Sequence, residues 1–254
     1  MALALEHDGY TNINYTWGEQ DSAQDISITS EYPMPHWWQT MKHEQSMIGS
    51  MSTDNLWQID NVLTLEQCAQ WIKASEELGY SSPETITPIG QTLLNTNIPI
   101  IWPSSETIRT NKRLIWQVPV DICNGIYAQI KGFIPDRVSI ADVEYTPVAL
   151  NRRFRFFKTS ENEDFKSHID AACCRINPQT GKYERSFLSV VIYLNNSFKG
   201  GELTTEHGLT IIPKTGSAVI FWHDGHPDAV RHMAKPVTHG TKYILRSDIY
   251  FDQI

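Results

Sequence analysis

Residues 186–195 read SFLSVVIYLN, and this stretch decides the fold class. Alternate residues of an extended strand lie on opposite faces of a sheet. The strand then has an aliphatic face and a mixed face, which are Leu188, Val190, Ile192 and Leu194, and Phe187, Ser189, Val191 and Tyr193. Because both faces are mostly apolar, we expect other elements to cover this strand on both sides.

Further short strands and turns follow this strand. The segment 195–201, NNSFKGG, reads as a turn, and residues 209–213 and 218–222 read as short strands. Residues 242–251, KYILRSDIYF, alternate cleanly. One face of that strand is predicted to carry Tyr243, Leu245, Ser247, Ile249 and Phe251, and the other Lys242, Ile244, Arg246, Asp248 and Tyr250.

Two helices are predicted before the strands. Thr64 and Gln67 have the spacing of a capping box, which predicts an amphipathic helix over 65–79. Asp121 is predicted to cap a second helix over 122–131. Helices followed by many short strands favour a mainly β (α+β) fold, a jelly roll or double-stranded β-helix buttressed by N-terminal helices. The predicted domain covers 56–254 with its jelly-roll core at about 138–254, and residues 1–55 form an extension packed on it.

Composition and charge exclude several classes of protein. Because 41% of the 254 residues are hydrophobic, disorder over most of the chain is not expected. The sequence has no apolar run long enough to span a membrane and no N-terminal pattern typical of a secretory signal. A net charge of −8 argues against nucleic acid as a partner. The four cysteines lack metal-type spacing and fit a reducing, cytoplasmic location.

His168-Ile169-Asp170 is the first candidate for a metal site. In a strand, residues i and i+2 share a face, so one imidazole nitrogen and one carboxylate oxygen can reach the same ion. Two histidines and one carboxylate are the ligand set of non-haem Fe(II) oxygenases, so a third ligand is required. His232 is preferred for its surroundings, and His223 and His226 are the competing candidates.

Several segments in order resemble the prolyl 4-hydroxylase-like branch of the 2-oxoglutarate/Fe(II)-dependent dioxygenases. They are LNRRFRFF (150–157), HID (168–170), IYLNNSFKGGEL (192–203), GSAVIFWH (216–223) and the block from His232 to Phe251. The resemblance implies that His168, Asp170 and His232 hold iron. It also implies that Lys242 pairs with the distal carboxylate of 2-oxoglutarate and that Tyr193 hydrogen-bonds the same group. Since a buried lysine without an anion is costly, that cosubstrate role suits Lys242. Arg246, on the same face, is the rival carboxylate binder.

The implied activity is a dioxygenase that hydroxylates an unactivated C–H bond while 2-oxoglutarate becomes succinate. Its cofactors would be Fe(II), 2-oxoglutarate and O2, with ascorbate keeping the iron reduced. The family usually has a tyrosine nine residues before the first histidine, where this chain has Thr159, so one cosubstrate contact is absent or supplied elsewhere.

The substrate is expected to be a small molecule or an amino-acid side chain, free or in a peptide, and no membrane partner is expected. The candidate substrate contacts are Arg109, Asn111, Arg153, Arg155 and Arg175. Two alternatives stay open, namely desaturation or cyclisation by the same oxidant, and a jelly-roll module that binds a metal or a partner without catalysis. The sequence gives no indication of oligomeric state.

Overall fold

Three layers build the part of the chain that the computed structural model describes, which comprises residues 27–28, 48–51, 55–81, 109–177 and 179–254. A helical layer covers one face of a large sheet, and a small sheet covers part of the other face. Most of the predicted extension, residues 1–55, lies outside the described residues.

The two helices of the described residues precede most of the strands along the chain. The helices are α1 (Leu65–Leu78) and α2 (Val120–Ile130), the second continued by a short 3-10 turn, Lys131–Phe133. The strands are β1 (Ser27–Ile28), β2 (Ile48–Met51), β3 (Leu56–Asp60), β4 (Lys112–Gln117), β5 (Val138–Ile140), β6 (Val143–Leu150), β7 (Arg153–Thr159), β8 (Phe165–His168), β9 (Cys174–Ile176), β10 (Tyr183–Tyr193), β11 (Lys199–Gly200), β12 (Leu203–Thr205), β13 (Thr210–Ile211), β14 (Ala218–Trp222), β15 (His232–Ala234), β16 (Val237–His239) and β17 (Lys242–Gln253).

The strands form a major and a minor sheet. In the described residues, the major sheet has the order β1-β4-β7-β17-β10-β14-β3-β2, and β6 with β5 continues along the second half of β17. The strand β9 pairs with the start of β10. The minor sheet has the order β13-β12-β15-β8, and β11 pairs separately with β16. This curled, mainly antiparallel arrangement confirms the predicted jelly roll.

The two faces of the major sheet bury separate hydrophobic clusters. The larger cluster lies between the helices and the sheet, where the Trp71 ring sits 5.3 Å from Trp116 and 5.4 Å from Phe156. The smaller cluster joins the major sheet to the minor sheet through Val191 and Leu203. The central strand is therefore covered on both sides, as its apolar faces predict.

The N-terminal end of each helix tests the predicted caps. The Thr64 hydroxyl accepts from Gln67 N at 3.0 Å, and the Gln67 side chain accepts from Thr64 N at 2.8 Å, so the capping box is confirmed. The predicted cap at Asp121 was wrong, because α2 begins at Val120 with Pro119 in the cap position. Asp121 then lies inside the first turn, where its charge suits the helix dipole but its side chain makes no capping hydrogen bond.

Strand alternation is confirmed with one exception. The β10 residues Val190 and Ile192 face the helices, and Val191 and Tyr193 face the minor sheet. The prediction for Phe187 was wrong, because a bulge between Ser186 and Leu188 turns its ring to the helical side.

Candidate active site

Three predicted ligands meet where β8 and β15 pair. His168 ends β8, His232 begins β15, and the two residues are register partners. Asp170 follows β8 by two residues, as the HxD spacing predicts. One ligand atom from each of the three side chains lies within 4.8 Å of the others, and the two imidazole centroids are 4.4 Å apart. His168 Nε2 lies 3.3 Å from Asp170 Oδ1.

Backbone carbonyls orient both imidazoles. His168 Nδ1 lies 2.7 Å from the Lys166 carbonyl oxygen, and His232 Nδ1 lies 3.0 Å from that of Val230. A carbonyl oxygen only accepts, so each Nδ1 carries the proton and donates it. Each Nε2 therefore keeps its lone pair for a metal.

Burial sets the charge of the ligands before any metal binds. It lowers the pKa of His232 to about 4, so this imidazole is neutral at pH 7. Burial also works to raise the pKa of Asp170, but Arg246 and the two histidines override it and hold that pKa well below its usual range. Two imidazoles and one carboxylate are the donor set that suits non-haem Fe(II), so the residues fit the metal.

The competing histidines lie outside this cluster. His223 Nδ1 points to the Asp224 carbonyl oxygen at 3.2 Å, and its Nε2 is buried with no partner in the structure. The His226 ring stacks on Trp222 with centroids 3.8 Å apart.

The two predicted cosubstrate residues lie close together in the structure. Lys242 is only 3% exposed, donates to the Gly201 carbonyl oxygen at 2.6 Å, and places Nζ 5.5 Å from the Tyr193 ring centroid. Burial lowers the pKa of Lys242 to about 8, and the charge of Glu202 opposes this shift. The Tyr193 hydroxyl oxygen is buried and has no hydrogen-bond partner. A buried ammonium beside an unsatisfied hydroxyl fits a carboxylate ligand.

Gly201 makes the approach of Lys242 possible. A Cβ at this position would lie 3.1 Å from Lys242 Cδ and 3.1 Å from Val237, and the backbone has φ of +68°. Sequence analysis assigned no role to this glycine beyond a turn. The double glycine before Glu202 was the available signal, but only the fold shows which side chain packs there.

Thr159 lies beside Lys242 in the major sheet. It is the register partner of Lys242, and its hydroxyl accepts from Asn111 Nδ2 at 3.2 Å. The Asn111 amide thus contacts the residue that stands where the resemblance implies a tyrosine. Arg109 Nη1 donates to the Asn111 carbonyl oxygen at 2.8 Å, and Arg109 pairs through its backbone with Phe165.

The remaining predicted substrate residues, Arg153, Arg155 and Arg175, lie on strands of the major sheet. Arg155 Nη1 pairs with Asp248 Oδ2 at 2.7 Å, and Arg175 Nε pairs with Glu184 at 2.6 Å while its guanidinium covers the Tyr250 ring. Arg153 is buried, and burial together with the neighbouring Arg155 lowers its pKa to about 9.

Arg246, the predicted rival for the cosubstrate carboxylate, is held by acidic neighbours. Its Nε lies 3.0 Å from Asp170 Oδ2, an ion pair whose N–H is not aligned on the oxygen. Its Nη2 lies 3.0 Å from Asp248 Oδ1. Arg246 is therefore already paired with two carboxylates of the chain itself.

Residues 154–247, which include the three candidate ligands, match the family model described as the 2OG-Fe(II) oxygenase superfamily. This part of the chain is therefore similar to the 2OG-Fe(II) oxygenase superfamily. A search of curated proteins found no match for the chain.

Several solved structures are similar to this chain. The viral collagen prolyl hydroxylase of Paramecium Bursaria Chlorella virus-1, in its 2OG complex, has a TM-score of 0.50 and 15% identity over 77% of this chain and 96% of its own. A Trichoplax adhaerens prolyl hydroxylase in complex with a hypoxia inducible factor peptide fragment has a TM-score of 0.49 and 17% identity over 79% of this chain and 84% of its own. A Pseudomonas putida prolyl-4-hydroxylase has a TM-score of 0.44 and 15% identity over 78% and 92% of the respective chains. At 15% identity, the similarity to the viral structure supports the fold alone.

In the described part of the chain, neither helix has the length and apolar character needed to cross a bilayer.

Proposed function

We propose that this chain is an oxygenase that binds Fe(II) through His168 Nε2, a carboxylate oxygen of Asp170 and His232 Nε2. The convergence of their ligand atoms within 4.8 Å is the observation that carries the proposal. The orientation of both imidazoles and the charge of the Asp170 carboxylate support it, because each Nδ1 is turned to a carbonyl oxygen and the carboxylate is held in its charged form.

Lys242 and Tyr193 are proposed to hold the distal carboxylate of 2-oxoglutarate. Lys242 supplies a buried positive charge, and the Tyr193 hydroxyl supplies a second donor. Thr159 is the register partner of Lys242, and it is proposed to supply, together with Asn111, the polar surface that the family's tyrosine gives elsewhere.

When bound, iron and 2-oxoglutarate together reduce dioxygen, so that a substrate C–H becomes C–OH while 2-oxoglutarate becomes succinate and CO2. The protein's part is orientation and exclusion of water. The Phe165 ring stacks on His168 at 3.9 Å, and the Phe221 ring lies 4.5 Å from His232, so both ligand rings have an apolar wall. These walls fix the imidazole planes and limit access of water to the site.

The substrate of this reaction is a small molecule or a peptide. We propose that the oxidised group is an unactivated C–H bond of the small molecule or of an amino-acid side chain. The carboxylate ligand suits hydroxylation or a related oxidation, and desaturation or cyclisation by the same oxidant are the alternative outcomes. The buried Arg153 and Arg155 and the half-buried Arg175 are proposed to contact an anionic group of such a substrate.

Succinate release tests the proposal. The purified chain, supplied with a pool of metabolites and peptides, is expected to form succinate only when Fe(II), 2-oxoglutarate and O2 are all present. His168→Ala should abolish that release, whereas His239→Ala should retain it, because the His239 side chain is 74% exposed. Full succinate formation by His168→Ala would contradict the proposed iron site. A metal-bound wild type that never consumes 2-oxoglutarate would favour the binding-module alternative.

A further inference from the structure

The two oxygens of Asp170 have unequal surroundings. Oδ2 accepts from the Ser189 hydroxyl at 2.7 Å and lies 3.0 Å from Arg246 Nε. Oδ1 lies 3.3 Å from His168 Nε2, whereas Oδ2 lies 4.0 Å from His232 Nε2. The two groups that contact Oδ2, the Ser189 hydroxyl and Arg246 Nε, come from the major sheet, whereas Asp170 itself follows the minor-sheet strand β8.

Arg246 is itself fixed by a buried ion-pair chain. Its Nη2 contacts Asp248 Oδ1 at 3.0 Å and the Ser189 hydroxyl at 3.2 Å. The other oxygen of Asp248 pairs with Arg155 Nη1 at 2.7 Å. Sheet register places these groups side by side, since Arg246 is opposite Arg155 and Asp248 is opposite Ser189. The guanidinium therefore has little freedom to leave Asp170.

We propose that Ser189 and Arg246 are positioning residues that hold Oδ2 of Asp170 away from the metal, so that Asp170 binds iron through Oδ1 alone. We name this pair of contacts the Asp170 clamp. The inference rests on the proposed function, because it concerns the same metal site. A carboxylate bound through both oxygens would occupy one more coordination position, and the clamp keeps that position open for cosubstrate and dioxygen.

Anaerobic titration with Fe(II) alone, without 2-oxoglutarate, tests the clamp. Ser189→Ala and Arg246→Gln are each expected to raise the Fe(II) dissociation constant, by about 10- to 100-fold for the arginine variant. Arg246→Lys keeps a charge but not the second donor and should recover part of the affinity. Lys158→Gln is the matched control, since it removes an ion pair with Glu76 at the helical face, away from the ligands.

The visible spectrum of the Co(II)-substituted protein gives a readout that is independent of activity. Release of Oδ2 would let Asp170 bind through both oxygens, so Ser189→Ala should shift the cobalt bands, and Lys158→Gln should not. Unchanged Fe(II) affinity and unchanged cobalt spectra in both Ser189→Ala and Arg246→Lys would overturn the clamp and leave the iron site intact. A wild type that binds neither metal would contradict the iron site and the clamp together.

Discussion

His168 and His232 are held by the same local geometry, since each donates its Nδ1 proton to the carbonyl oxygen two residues earlier in the chain. The sequence predicts both residues as ligands through the HxD spacing and the surroundings of His232. The sequence does not show which ring nitrogen is left to bind a metal, because the backbone conformation decides which nitrogen meets the carbonyl oxygen. The fold supplies this information, and it makes the two imidazoles equivalent donors.

Lys242 predicts a pH dependence at the scale of one residue. Burial lowers its pKa to about 8, and only the ammonium form attracts a carboxylate. Affinity for 2-oxoglutarate should therefore be full below pH 8 and fall as the pH rises above it, by up to about tenfold per pH unit. Isothermal titration with Mn(II) in place of iron, between pH 7 and 9.5, measures this change.

Lys242→Arg provides the control for that titration, because a guanidinium stays charged over the whole range. Lys242→Arg can bind 2-oxoglutarate more weakly than the wild type at pH 7, but its affinity should not change between pH 7 and 9.5. A wild-type profile as flat as that of the arginine variant would show that Lys242 does not supply the charge that 2-oxoglutarate needs.

Ser189 shows where residue-level prediction stops. Its place on the mixed face of a buried strand was visible in the sequence, and a small polar residue among apolar neighbours is a signal for a hydrogen-bond partner. The partner is Asp170, 19 residues earlier, in the segment that follows a strand of the other sheet. Sequence periodicity does not predict this hydrogen bond, because the bond forms between distant segments of the chain.

At the scale of elements, α1 fixes one side of the major sheet through one large side chain. Trp71 is fully buried, and its ring packs on Trp116 and Phe156. Trp71→Ala should lower the free energy of unfolding by about 3–5 kcal/mol, because it leaves a cavity that the sheet cannot fill. Chemical denaturation followed by fluorescence or circular dichroism measures the loss.

Leu65→Ala on the same helix is the matched control for that loss. Leu65 is 71% exposed, so its truncation should change the free energy of unfolding by no more than about 0.5 kcal/mol. Equal effects of the two substitutions would contradict the assignment of Trp71 to the helix–sheet core.

Element boundaries were predictable where local chemistry decides them. The capping box of α1 and the alternating strand β17 are both local patterns, and both are confirmed. The bulge in β10 was not predictable, because it depends on how the strand pairs with β17. Its consequence is that Phe187 packs on Tyr145 and Phe251 instead of facing the minor sheet.

At the scale of the whole molecule, the site depends on both sheets. The minor sheet supplies the histidines through β8 and β15, and the major sheet supplies Lys242 and Tyr193. The family resemblance predicted these residues as one set, but the distances between them exist only after the sheets curl together. The packing of Val191 and Phe221 against Leu203 holds the two sheets at that separation.

The central claim is that His168, Asp170 and His232 hold one Fe(II) with positions left for 2-oxoglutarate. An anaerobic optical titration tests it most directly, since chelation of ferrous iron by a 2-keto acid produces a visible charge-transfer band. The account predicts one Fe(II) per chain and a band that appears only when both Fe(II) and 2-oxoglutarate are present, and that is absent from His232→Ala. A wild type without the band, or a His232→Ala variant with the full band, would contradict it.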